Sequence, residues 1–167
     1  MIVEALVLII FPGLLAYAAA TDLLTMTIPN RVSLGLVAGF AVLAIATAMP
    51  LALLGVHVAT GFGMLALCFC LYSFGYVGGG DAKLLASVAL WFGWADLLPF
   101  ILMTALFGGG LAMALLAVRR IPLPAGLSRM PWIVRLHTQG EGTPYGLAIA
   151  AGALAIYPHT HWMALAA

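Results

Sequence analysis

Apolar residues run along this chain in long blocks, interrupted only by charge, Pro or Gly, near residues 2–20, 32–49, 51–75, 82–96, 97–118 and 144–164. A helix needs roughly 20 mostly apolar residues to cross a hydrocarbon layer. The blocks therefore predict an all-α polytopic membrane protein of about six transmembrane helices, forming a single domain over 1–167. No internal repeat stands out.

The charged residues agree with this layout. Arg31 follows the first block, Lys83 the third, and Arg119, Arg120, Arg129 and Arg135 the fifth, so every Lys and Arg falls on one face. Basic residues near span ends collect on the cytoplasmic side. Glu4, the Met49-Pro50 turn and Asp96 take the opposite face, and both termini are expected to point outward.

Composition strengthens the membrane reading: 65% of residues are hydrophobic and 7% charged, against about 25% charged in soluble domains. Mean hydropathy is +1.20. The net charge of +1 adds little, and there is no nucleic-acid-binding signature. The start, Met1 to Glu4, is acidic where a secretory signal would be basic, so the first block is read as a span.

The fourth block is short, about 15 residues or roughly 22 Å of helix against a core of roughly 30 Å. With Trp91, Trp94 and Asp96 anchoring its outer end, Asp81 is expected slightly below the inner interface. Gly35, Gly39, Gly61, Gly63 and Gly108 to Gly110 suggest close helix packing. The segment 119–143 mixes Arg with Trp132, Ile133, Val134 and Leu136, as expected of a stretch lying on an anionic membrane surface. Cys68 and Cys70 point to nearly opposite helix faces, which predicts two buried free thiols.

Five carboxylates carry the possible chemistry. Glu4 and Asp96 lie outside, and Glu141 reads as a solvated charge in an inner turn. Asp22 and Asp81 stand where loops meet spans, and two spans between them return both to the same face. Acids near hydrocarbon are costly enough to suggest function. Three glycines, Gly78, Gly79 and Gly80, precede Asp81 and free its backbone to approach an extended peptide. Pro29 forces a non-helical entry into the second span after Asp22.

Two carboxylates held close do not both ionise easily, so one serves as base while its protonated partner serves as acid. That is aspartic-protease chemistry. Ser33, Ser73, Ser87 and Ser128 lack evident His and acid partners, and His57, His159 and His161 fall outside with His137 alone inside, which argues against a metal site. Paired acids could also relay protons in a small proton- or cation-coupled transporter, but that predicts acids near mid-span and repeated broken helices.

Asp22 followed by Ile28-Pro29-Asn30, Gly78-Gly79-Gly80-Asp81-Ala82-Lys83, and Pro144-Tyr145-Gly146 before the last block together resemble the type IV prepilin peptidase family, particularly its short Tad/Cpa-type members that process Flp pilins. The resemblance implies a GxGD-type architecture in a bacterial inner membrane and a cytoplasm-facing endopeptidase. Asp22 and Asp81 would be catalytic, with the other motif residues, Lys83 included, positioning the substrate. The substrate would be a membrane-inserted prepilin that loses a short basic leader. No cofactor is implied: long members also methylate with S-adenosylmethionine through a cysteine-bearing domain between the first two spans, where this chain has only the short 21–31 loop.

Overall fold

The computed structural model describes residues 2–140 and 142–164, without the side chain of Ile2. The expectation for Glu141 falls outside that range. The helices are α1 (Ile2–Thr25), α2 (Asn30–Ala46), α3 (Leu51–Ser73), α4 (Gly79–Val118), α5 (Pro131–His137), α6 (Tyr145–Ile156) and α7 (His161–Ala164), with 3-10 turns at Leu127–Arg129 and Tyr157–His159. Among the described residues, α1 from Val3, α3 and α4 are long and apolar enough to cross a membrane, and α2 is a shorter apolar helix. The chain is an all-helical membrane protein.

Three expected boundaries move. The first helix continues to Thr25, and within it the Thr21 and Thr25 hydroxyls are satisfied by donating back to the carbonyls of Tyr17 (3.0 Å) and Thr21 (2.6 Å). The block at 144–164 is a 12-residue helix that passes into a 3-10 turn at Pro158 and a short final helix. The fourth and fifth blocks are joined in one element of 40 residues, whose single non-helical residue is Gly93, at φ 60° and ψ −165°. That conformation belongs essentially to glycine.

The bend at Gly93 turns α4 back on itself. Gly80 and Gly146 both lie against Ile28, and Gly108 lies against Tyr145, the neighbour of Gly146. A straight helix would hold Gly80 and Gly108 roughly 42 Å apart at 1.5 Å per residue. The rings of Phe92 and Phe100 also stand 5.1 Å apart across the bend. Side chains satisfy carbonyls just before the break: His57 Nδ1 donates to Leu90 O (2.8 Å) and Trp162 Nε1 to Trp91 O (2.7 Å).

An aromatic core surrounds the bend. Trp91, expected as an interfacial anchor, is fully buried and donates to Leu36 O (2.8 Å), whereas Trp94 is 74% exposed. Phe11 stacks on Tyr157 at 4.4 Å, and the Tyr157 hydroxyl donates to Val7 O, which ties α1 to the end of α6. His57 is buried in this core. Of the two cysteines only Cys68 is buried; Cys70 is exposed, since positions two apart on a helix cannot share its packed face.

The glycines divide by surroundings. Gly35 packs on Leu14, Gly39 on Ile10 and Trp91, Gly61 on Leu90 and Gly108 on Tyr145, as helix packing predicts, but Gly63, Gly109 and Gly110 face open space. At Gly152 a Cβ would fall 2.5 Å from Thr104 Oγ1 and 2.7 Å from its backbone nitrogen, so α6 sits directly on the returning arm of α4.

Gly93→Ala is expected to destabilise the chain by about 1–3 kcal/mol, because it imposes a side chain on this backbone and places a Cβ 3.0 Å from the His57 ring. Thermal unfolding in detergent checks it; an unchanged midpoint would mean that the bend needs no glycine.

Candidate active site

Asp22 occupies the last turn of α1, not a loop junction, and is 5% exposed. Just beyond it, Met26 takes φ 53° and reverses the chain, with its amide donating to Asp22 O at 2.8 Å. Pro29, extended at φ −64° and ψ 139°, then caps α2, which is the non-helical entry that the proline predicts.

The carboxylate of Asp22 reaches across to α6. Gly146 N donates to Asp22 Oδ2 at 2.7 Å, and the next amide, Leu147, also acts on it. These amides belong to the first turn of α6, after Pro144 and Tyr145, and a helix N-terminus favours a negative charge. The approach requires glycine: a Cβ on residue 146 would meet Asp22 Oδ2 at 2.9 Å and Ile28 Cδ1 at 2.7 Å.

Asp81 stands in the first turn of α4 and is partly buried. The glycines before it are not the open loop that their run suggests. Gly78 is the extended cap residue, Gly79 and Gly80 are already helical, and none of the three has a positive φ. Their role is close approach: a Cβ on Gly78 would lie 3.0 Å from Asp81 Oδ2, one on Gly79 3.4 Å from the Tyr72 ring, and one on Gly80 3.3 Å from Ile28 Cβ. The glycine whose backbone needs a positive φ is Gly75, at 78°, which closes α3.

Ile28 thus lies between Gly80 and Gly146 and draws all three motif stretches together. A second tie joins two of them, since Lys83 Nζ donates to Asn30 Oδ1 at 3.0 Å. Asp22 and Asp81 line one open cavity of about 350 Å³, near enough for their charges to repel. Both carboxylates stand at helix N-termini, which offsets part of the cost of holding acids away from water.

The same cavity is lined by Met26, Thr27, Gly142 and Thr143, none of which the sequence pattern singled out. Thr143 had a usable signal, its place directly before the Pro144-Tyr145-Gly146 element, whereas the reversal at Met26 had none. The segment between α4 and α6 is anchored beside the site, with Arg135 Nη1 donating to Leu24 O (3.3 Å) and Arg119 Nε to Leu136 O (2.7 Å).

The type IV leader peptidase family model matches residues 9–113, more than half of the chain. The match contains the Asp22 and Asp81 stretches and stops before Pro144, so the contact of Gly146 with Asp22 lies beyond it. No curated protein and no solved structure matches significantly. With helices apolar enough to cross a membrane and two buried or partly buried acids facing one cavity inside the matched stretch, the chain belongs to the type IV leader peptidase family.

Proposed function

We propose that the chain is an aspartic endopeptidase that removes the short basic leader from a Flp-type prepilin at the cytoplasmic face of a bacterial inner membrane. Asp22 and Asp81 are its catalytic pair. The observation that carries this reading is the single cavity lined by both carboxylates and by residues of the Ile28 and Gly78 to Gly80 stretches.

One carboxylate takes a proton from water as the water oxygen adds to the peptide carbonyl carbon. The protonated partner stabilises the tetrahedral oxygen, and a proton passes to the leaving nitrogen as the C–N bond breaks. Ile28, Pro29 and Asn30, the three glycines and Lys83, and Pro144, Tyr145 and Gly146 position the acids and the substrate. A basic leader is drawn toward this acidic site.

In this reading the membrane is crossed six times, by α1, α2, α3, the two arms of α4, and α6 with α7, and both termini face outward. Lys83, Arg119 and Arg135 support that orientation, because their hydrogen bonds hold them at the end of the bundle that carries the acids. A proton-coupled transporter gains no support from the family match. The broken helix that a transporter would use is here at Gly93, amid the aromatic core and away from both acids.

Co-expression with a candidate prepilin tests the proposal. Mass spectrometry of the pilin N-terminus is expected to show leader removal only when the chain is present. A prepilin left intact beside well-expressed chain would overturn it.

A further inference from the structure

Although α2 and α3 are consecutive, they pack on α4 and leave a gap between themselves. Two cavities, of about 390 and 510 Å³, occupy the gap and share Val37, Val58, Phe62 and Leu90, so they form one groove. It runs from Asn30 and Lys83 at one end to Ala48 and Met49 at the other, roughly 27 Å along α2 at 1.5 Å per residue, close to a hydrocarbon thickness. Ala86 and Ser87 of α4, Gly61 of α3 and Ala41 and Ala44 of α2 keep it shallow in side chain and close to backbone, the composition of helix-packing surfaces in membranes.

Resting on the peptidase reading above, we propose that this groove seats the apolar membrane helix of the prepilin and presents the adjoining peptide to Asp22 and Asp81. One feature selects a polypeptide over a lipid chain. The groove ends at Asn30 and Lys83, whose mutual hydrogen bond joins the two aspartate-bearing stretches, so a helix lying in it leads directly to the catalytic cavity. The crevice on the other side of α3, lined by Met64, Leu67, Trp94 and Leu97, has no such polar end.

The test is photo-crosslinking in membranes that contain the prepilin and a full-length Asp81→Asn chain, in which uncut substrate accumulates. Benzoylphenylalanine in place of Val37 or Phe62 is expected to capture the prepilin, and in place of Leu67 or Leu106 is not. Capture from Leu67 or Leu106 in preference to Val37 and Phe62, or from none of them, overturns the proposal. In the cleaving chain, Val37→Trp fills the groove from a half-exposed wall position and should raise KM for intact prepilin roughly tenfold, while Leu106→Trp leaves it unchanged. Wild-type cleavage with no effect of Val37→Trp and no groove crosslink would reject the groove and leave the peptidase standing. Absence of wild-type cleavage would reject the peptidase reading and this proposal with it.

Discussion

Chains carrying Asp22→Asn or Asp81→Asn are expected to leave prepilin essentially uncut, each slower than wild type by on the order of 10²–10⁴-fold, the usual contribution of a positioned acid or base. Asparagine keeps the shape of the side chain and retains an oxygen that can accept from Gly146 N, so the helix-end contact at Asp22 survives while the titrating group is lost. The Asp22→Asn, Asp81→Asn double variant should be no slower than the worse single variant, because residues acting as a unit are not additive. Leader cleavage read by mass, alongside unfolding midpoints, checks all three. Cleavage at a wild-type rate by either single variant, or losses that multiply in the double, would remove the pair as one catalytic unit.

Gly146→Ala is expected to slow cleavage about 10²-fold, the cost of displacing a catalytic group by about 1 Å. The added Cβ would sit 2.9 Å from Asp22 Oδ2 and 3.0 Å from Asp22 Cβ, so the aspartate must move off the amide that holds it. The overpacking itself should cost about 1–3 kcal/mol of stability. Gly55→Ala is the matched control, since nothing lies within 4 Å of a Cβ there, and mid-helix alanine should be neutral or stabilising by roughly 0.5–1 kcal/mol. If Gly146→Ala cleaved as fast as Gly55→Ala, close approach at residue 146 would have no part in catalysis.

Legibility in the sequence differs from residue to residue. The apolar helices are legible because hydrocarbon selects composition over a whole span. The two aspartates were readable because acids are rare in such a chain and an even number of helices separates them. Trp91 is misplaced because in a membrane protein a tryptophan suits both the interface and the core, and only the packing of α1, α2 and residues 157–162 around it decides which. The conformational freedom expected of the glycines before Asp81 is not what the fold uses. Their backbone angles are ordinary, and what they lack is the Cβ that would meet Ile28, Tyr72 and Asp81.

By itself the sequence determined a helical membrane chain with two acids on one side, because burial in lipid and the rule of basic side chains act along the chain, residue by residue. Tertiary structure alone decided that Asp22 lies within a helix and meets the amide of Gly146, that Ile28 joins three separated stretches, and that α2 and α3 stand apart over α4. Those contacts link residues up to 124 positions apart, and they depend on the bend at Gly93 and on which helix faces pack together. No local pattern of apolar and polar positions encodes either one.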